Sequence, residues 1–320
     1  MPLEPHRPPR DLLTTGALVL AVVAVSSSAP LIAFAAAPAL AVAFWRNMIA
    51  VGVLSPFALI RRRAEFRSLV TGAGRREGMF CVLSGVALAA HFATWMPSTK
   101  LTSVAAATAL VATQPVWQGL IARAQGRRLP AGVWAGIGIA VVGAVLATGA
   151  DFTVSAEAFV GDLLALTGGL FAAVYMALGE RARVTVSTAT YTTICYGVCA
   201  LILLVVCLVA RVPLGGFDTG TWLAVLALVA GAQLLGHSMF GYALRRVSAT
   251  TVSVLILLEA PGAALLGWAW LGQLPDPVTL PGLSLLLAGV AVVVLTSART
   301  ARRATRVSTA VPVDAAPVRD

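Results

Sequence analysis

The chain has 320 residues, of which 59% are hydrophobic and only 11% charged, whereas soluble domains carry about 25% charged residues. In water such a chain would expose apolar patches larger than monomeric proteins tolerate, so its composition excludes a soluble globule and predicts a lipid-embedded fold. The net charge of +10 comes from short basic clusters between apolar segments, which argues against nucleic acid as a partner. The four cysteines lie in apolar runs without a CxxC pair, so neither a disulfide framework nor a metal site is predicted.

Ten apolar segments of about 20 residues, the length of a helix that crosses the hydrocarbon core, follow one another along the chain. Spans 1 to 10 are predicted at 14–34, 38–60, 78–97, 101–122, 130–150, 158–179, 188–210, 221–244, 248–271 and 277–297. The fold class is therefore an all-α integral membrane protein with ten transmembrane helices. Span 1 is expected to break or kink at Pro30, and both ends of the chain are expected to be short disordered tails.

The basic residues predict the orientation of the spans. With the N-terminus inside, 20 of the 23 Lys and Arg residues fall in cytoplasmic segments, Lys100 and Arg211 fall outside, and Arg46 lies within a span. Positive residues favour the cytoplasmic side. The chain is therefore predicted to lie in the cytoplasmic membrane with both termini in the cytoplasm.

An internal repeat recurs at an offset of 146 residues. The matching pairs are Gly85 and Gly231, His91 and His237, Pro115 and Pro261, Gly126 and Gly272, Gly136 and Gly282, and Gly143 and Gly289. The predicted organisation is a cytoplasmic tail at 1–11, a first five-helix repeat at 12–150, a second at 151–297, and a C-terminal cytoplasmic tail at 298–320. Because each repeat has an odd number of spans, the two must cross the membrane in opposite directions, as the inverted repeats of many transporters do.

Three sequence patterns carry a resemblance to a known family. The first pattern occurs once in each repeat and consists of a span opening, a mid-span proline and a glycine turn. In the first copy these are Leu101-Thr102-Ser103, Gln114-Pro115 and Gly126-Arg127-Arg128-Leu129. In the second copy they are Val247-Ser248-Ala249, Glu259-Ala260-Pro261 and Gly272-Gln273-Leu274. Phe44-Trp45-Arg46-Asn47 and Gly161-Asp162-Leu163-Leu164 are the other two patterns.

With these patterns the chain resembles the EamA-type members of the drug/metabolite transporter superfamily, over nearly its whole length. The usual glutamate of the glycine turn is replaced by Arg127 and Gln273. The resemblance implies a small-molecule substrate, which in this family includes amino acids, other metabolites and cationic drugs. It also implies that spans 5 and 10 are peripheral and could join two protomers, with Gly132, Gly136 and Gly143 as small packing residues.

Four ionisable residues are predicted to lie within spans, where they are costly and usually functional. Glu259 precedes Pro261 by two residues, which suits a proton or cation site, and the alternative is a structural partner of Arg46. Arg46 either neutralises Glu259 or binds an anionic substrate group. His91 and His237 occupy equivalent depths, and each is either a proton or substrate ligand or an interhelical hydrogen-bonding residue.

Further polar and aromatic residues complete the candidate site. The remaining substrate- or proton-binding candidates are Trp95, Gln114, Asn47, Tyr175 and Gln233, the further residues that could line a cavity are Trp45, Trp117, Tyr191 and Tyr242, and the candidate helix breaks or hinges are Pro30, Pro115 and Pro261.

The chain lacks the sequence motifs of soluble enzymes and of nucleotide-binding domains, so neither catalysis nor a cofactor is expected and energy must come from a gradient. We therefore expect a secondary transporter that moves a small organic solute (a metabolite, amino acid or drug-like compound) by alternating access, in the lipid bilayer. Proton-coupled export is the direction that the resemblance implies. The alternatives are a passive facilitator of the same fold, a membrane-embedded enzyme and a non-transporting scaffold.

Overall fold

The computed structural model describes residues 12–102, 104–148, 155–262, 265–266 and 277–310, and all regular elements in these ranges are helical. The predicted N-terminal tail lies outside the described residues. The α-helices are α1 (Leu12–Ser26), α2 (Ser28–Phe34), α3 (Ala39–Arg61), α4 (Arg63–Thr71), α5 (Arg75–Leu101), α6 (Val104–Val111), α7 (Gln114–Ala124), α8 (Ala131–Thr148), α9 (Ala156–Ala182), α10 (Thr188–Val209), α11 (Thr219–Leu228), α12 (Ser238–Ala243), α13 (Ala249–Ile256) and α14 (Leu280–Ala310). A π-helix at Val229–His237 joins α11 to α12, and a 3₁₀ turn at Pro277–Thr279 precedes α14.

Seven helices in the described part of the chain are long and apolar enough to cross a membrane. They are Leu12–Ile32, Ala39–Arg61, Arg75–Leu101, Ala156–Ala182, Thr188–Val209, Thr219–Ala243 and Leu280–Thr300. Two shorter apolar helices, Ala131–Ala147 and Ala249–Gly262, occupy predicted spans 5 and 9, and the short helices α6 and α7 occupy predicted span 4. The chain is thus an all-helical, multi-pass membrane protein, and the number of ten spans stays a prediction.

Three of the predicted spans are interrupted a few residues before a proline. Span 1 breaks at Ser27, span 4 at 112–113 and span 9 at 257–258, and the helix then resumes toward Pro30, Pro115 and Pro261 respectively. Proline has no N–H to donate to the carbonyl four residues earlier, and its ring clashes with that carbonyl. The interruptions of spans 4 and 9 therefore follow from the prolines that the internal repeat places at equivalent positions.

The structure extends α14 beyond the predicted end of span 10. We expected a disordered tail from about residue 298, but the helix continues to Ala310. The segment from 298 to 306 consists of alanine, arginine and threonine, with four arginines, and alanine and arginine both favour helix. The prediction of disorder was therefore wrong for 298–310, and the rest of that tail lies outside the described residues.

The helices pack with a pseudo-twofold pattern. Helix α5 of the first repeat packs along α9 of the second, the equivalent π-helix and α12 of the second repeat pack along α1 of the first, and α3 of the first packs on α10 of the second. The third span of each repeat thus contacts the first span of the other repeat. The two repeats therefore interlock and do not form separate bundles. This arrangement brings residues from both repeats to the centre of the molecule.

Glycines join α8 to α14 within the chain. A Cβ atom at Gly143 would lie 2.2 Å from the Leu286 nitrogen, and one at Gly289 would lie 2.3 Å from the Ala140 nitrogen. Small residues allow such close backbone approach between membrane helices. The glycines that suggested a protomer interface, including Gly132 and Gly136, therefore pack α8 against α14 of the same chain, and the homodimer through spans 5 and 10 stays a prediction.

Candidate functional site

A central cavity lies where the interlocked repeats meet. Its lining comes from predicted spans 1 to 5 of the first repeat and from spans 6, 8 and 9 of the second. The space open to the centre of a water-sized sphere is about 160 Å³, whereas one water needs only about 10–15 Å³ by the same measure. The cavity therefore has room for a small organic molecule.

All three interrupted spans reach this cavity. Ser28, which follows the break in span 1, lines it, as do Ala112 and Gln114 at the break in span 4. Leu257 and Glu259 line it at the break in span 9. Interrupted membrane helices leave backbone groups free of intrahelical bonds, and they are tolerated where they are buried in protein or line a cavity. The breaks are thus located where a polar ligand could hydrogen-bond to their free backbone groups.

Arg46 projects from α3 into the cavity and is held from behind by two amides. Its Nε donates a 2.8 Å hydrogen bond to Oε1 of Gln233, whose Nε2 donates to Oδ1 of Asn47 at 3.0 Å. Asn47 Nδ2 in turn donates to the Ala43 carbonyl at 2.9 Å. The guanidinium carbon lies 4.6 Å from the centre of the Phe92 ring, a cation–π distance.

The two histidines lie on the same aromatic wall. Phe92 is next to both of them, with ring centres 5.1 Å from His91 and 5.9 Å from His237. Trp95 stacks on His91 at 5.6 Å with an interplanar angle of 5°, and Tyr175 lies 6.1 Å from His237. The repeat therefore places its matching histidines on either side of one phenylalanine.

The neighbours of the histidines differ. Nδ1 of His91 lies 2.9 Å from the Gly168 carbonyl oxygen, and because a carbonyl only accepts, that nitrogen carries the proton. Nδ1 of His237 is buried without a hydrogen-bond partner. Of the pair, His237 is therefore the one with a fully buried ring nitrogen that lacks a partner.

Glu259 and Arg46 line the same cavity without forming a direct pair. No ion pair within 4.0 Å joins them. Among the described residues such a pair is formed by Arg127 and Glu180, neither of which lines the cavity. Glu259 is the single acidic residue among the described residues of the lining. The structural alternative, in which Arg46 is neutralised by direct contact with Glu259, is absent from this conformation.

Several buried polar atoms on the cavity wall lack a hydrogen-bond partner within the protein. They are Nη2 of Arg46, Nε1 of Trp95, Nε2 of Gln114, the hydroxyl of Tyr175 and Nδ1 of His237. Buried polar groups are nearly always hydrogen-bonded, so five such atoms around one cavity indicate that water or a ligand completes them.

The structure brings most of the predicted site residues together. Seven of them line the cavity: Glu259, His91, His237, Arg46, Trp95, Gln114 and Tyr175. Asn47 and Gln233 lie behind Arg46 and do not line it, and neither do Trp45, Trp117, Tyr191 and Tyr242. Sequence reasoning missed Phe92, Ser28, Met176 and Phe240, which carry no charge and are common within membrane helices.

The model of the EamA-like transporter family matches residues 13–149 and again residues 159–295. A solved structure described as "Crystal structure of protein" has a TM-score of 0.74 and 21% sequence identity, over 90% of this chain and 99% of its own. At that identity the likeness concerns the fold alone. No curated protein matches the chain.

Proposed function

Because the chain belongs to the EamA-like transporter family and is a multi-pass membrane protein, we propose that it is a secondary transporter of a small organic solute that works by alternating access. The observation that carries the proposal is the central cavity, since both repeats and all three interrupted spans contribute to it and polar atoms on its wall lack partners. A metabolite, an amino acid or a drug-like compound fits its size.

The proposal includes ten spans in two inverted repeats, with both termini in the cytoplasm of a cell. The two family matches of equal length support two equivalent halves. The matched prolines and the paired breaks in spans 4 and 9 support the same register. The concentration of basic residues in alternate connections supports the orientation.

Glu259 is the proposed proton or cation site. A carboxylate inside a membrane protein is costly and is usually retained for function, and this one lies next to a helix break in the cavity. In the proposed cycle Glu259 exchanges a proton for the solute during export, while Arg46, His91 and His237 shape the cavity. Rocking of one repeat against the other would open the cavity to each side in turn.

The test of coupling uses Glu259→Gln, which keeps the size of the side chain and removes its proton exchange. In reconstituted liposomes, solute flux through the wild type should follow an imposed pH gradient, and the variant should lose that dependence while melting at a similar temperature. Glu157→Gln, which alters an exposed glutamate in the first turn of α9, is the matched control. Wild-type pH dependence in Glu259→Gln would refute the proposal.

The solute can be sought first by thermal stability in detergent. Amino acids, nucleosides, sugars, organic acids and lipophilic cations form the panel, since a ligand at about 100 times its Kd stabilises by about 2.7 kcal/mol. A compound that stabilises the wild type and no longer stabilises Glu259→Gln would place its site at the cavity.

A passive facilitator is the second candidate, because orphaned polar atoms around a cavity are equally compatible with uncoupled movement of solute. The two differ in one measurement. A facilitator would equilibrate the solute without accumulating it against its own gradient, whatever pH gradient is imposed, whereas the coupled transporter would accumulate it.

A further inference from the structure

The guanidinium of Arg46 is held on one edge and free on another. Its Nε edge donates to Gln233 and its face lies over Phe92, but Nη2 is buried without a partner and the residue is only 1% exposed. A charge removed from water without a counter-charge is strongly unfavourable. Since Glu259 lies beyond ion-pair distance, no carboxylate in the described part of the chain contacts the guanidinium.

Two other free groups of the cavity have the same polarity as Arg46 Nη2, while His237 Nδ1 and the Tyr175 hydroxyl can either donate or accept. Nε1 of Trp95 and Nε2 of Gln114 can only donate hydrogen bonds, and both are buried without acceptors. A neutral polar solute would present donors as well as acceptors. An ionised carboxylate presents acceptors alone and adds the missing negative charge, and arginine matches it in geometry.

Resting on the transport function proposed above and deepening it, we propose that the cavity contains an oxyanion subsite in which Arg46 Nη2 binds a carboxylate of the solute, with Trp95 and Gln114 as further donors. Phe92 and the other rings of the wall lie against the apolar body of the solute. Glu259 makes no ion pair with Arg46, so an anion there leaves the proposed proton site available.

Gln233 and Asn47 are positioning residues for this subsite. Both are fully buried, and the chain of bonds from Ala43 through Asn47 and Gln233 ends at Arg46 Nε and leaves Nη2 free. Gln233 presents a neutral acceptor, so it orients the guanidinium without cancelling its charge. A carboxylate at position 233 would orient Arg46 equally well and neutralise it.

The probes are benzoate and its neutral isostere benzamide, with dissociation constants taken from the concentration dependence of the melting temperature in detergent. In the wild type, benzoate should bind at least tenfold more tightly than benzamide. Arg46→Gln and Gln233→Glu should both reduce this preference to less than twofold, by weakening benzoate and leaving benzamide unchanged.

The control is Gln118→Glu, because Gln118 is also a fully buried glutamine but does not line the cavity. It should keep the benzoate preference. A purely structural role for Gln233 would also let Gln233→Glu keep the preference, since the acceptor for Arg46 is preserved. If Arg46→Gln fails to fold, Gln233→Glu alone decides.

Equal binding of the two probes, binding of neither, or a preference that survives Gln233→Glu in a folded protein would overturn the subsite. These results are separate from the transport test. A benzoate preference without any solute flux would refute the proposed function, and coupled flux without a benzoate preference would refute the subsite alone.

Discussion

Glu65, in the connection between predicted spans 2 and 3, binds the first turn of α10. Its two carboxylate oxygens accept hydrogen bonds from the Ser187 backbone N–H at 2.5 Å, the Ser187 hydroxyl at 2.6 Å and the Thr190 hydroxyl at 2.8 Å. Burial raises the pKa of Glu65, but the bonds from Ser187 and Thr190 and the charge of Arg62 outweigh it, so the pKa lies below its ordinary value. The ionised carboxylate therefore stabilises the fold.

We predict that Glu65→Gln lowers the free energy of unfolding at pH 7 by about 1 kcal/mol, the usual value of a side-chain cap at a helix N-terminus. A depressed pKa in the folded state contributes stability above the unfolded pKa, about 4.3 for glutamate, which is lost as the pH falls through the folded pKa. The difference in the free energy of unfolding between the wild type and Glu65→Gln should therefore be largest at pH 7 and disappear in acid.

Melting curves in detergent across this pH range measure the effect. Glu77→Gln is the matched control, since Glu77 lies at the start of α5 and caps no other helix. An equal loss of stability in both variants, or a loss from Glu65→Gln that persists in acid, would contradict the role of Glu65.

At single positions, the ionisable residues of the cavity lining could be predicted from the sequence, whereas its apolar residues could not. Glu259, Arg46 and the histidines were candidates because ionisable residues are expensive in lipid. Phe92 lies at the centre of the aromatic wall, but nothing in the sequence distinguishes it from a packing residue. Gln233 was a candidate for binding the solute or a proton, but it bonds Arg46 from behind and does not line the cavity.

Among the helices, the break in span 9 is the element that carries Glu259 into the cavity. We predict that Pro261→Ala reduces solute flux at least tenfold with little loss of stability. Alanine restores the N–H that can bond the carbonyl of Leu257, which removes the cause of the break and turns Glu259 away from its present position.

Flux in liposomes and the melting temperature in detergent measure the two effects. Pro56→Ala is the control, because Pro56 is an exposed proline inside α3 that does not line the cavity. Similar flux in the two variants would show that the break is not needed.

The contact between α8 and α14 depends on glycine. We predict that Gly143→Ala lowers the free energy of unfolding by about 1–3 kcal/mol, the usual cost of overpacking, because the added Cβ would lie 2.2 Å from the Leu286 backbone nitrogen. In Gly138→Ala, also in α8, the added Cβ meets nothing within 4 Å, and alanine favours the helix. Melting curves should therefore move in opposite directions, and equal shifts would contradict the packing.

Element by element, the prolines predicted the breaks but nothing predicted the π-helix. Each break lies within four residues before its proline, where the missing N–H removes an intrahelical bond, although Pro56 lies inside the unbroken α3. The π-helix contains no proline, and the glycines within it lie against α1, where a Cβ at Gly236 would come within 2.6 Å of Val25. The π-helix thus occurs where this segment packs against α1, and the local sequence does not indicate that contact.

For the molecule as a whole, the repeat and the family resemblance predicted what the family matches confirm. Both rest on glycine and proline positions repeated at one offset, and these survive sequence change because backbone geometry needs them. The two charged residues of the candidate site do not follow the repeat as the histidines do: the position equivalent to Glu259 is Thr113, and that of Arg46 is Thr192. This is why the fold could be predicted from the sequence more fully than the site.

The same asymmetry gives the two openings of the proposed transporter different stabilities. On the predicted cytoplasmic side, Arg127 of the first repeat donates to both oxygens of Glu180 in the second, at 2.9 and 2.7 Å. The equivalent positions on the opposite side are Gln273 and Phe34, which cannot form an ion pair. The pair therefore favours closure toward the cytoplasm.

We predict that Arg127→Glu increases cytoplasmic access to the cavity by about 1.4-fold to fivefold, because a partly exposed ion pair contributes about 0.2–1 kcal/mol. Access is measured as the labelling rate of a cysteine introduced at Ser28 by a membrane-impermeant reagent in inside-out vesicles, where the four native cysteines are buried. Adding Glu180→Arg to the variant should restore the pair with reversed charges and slow the labelling again. If the double variant labels as fast as Arg127→Glu, the pair does not hold the cytoplasmic side closed, because reversing both charges preserves their attraction while changing everything else about the two positions.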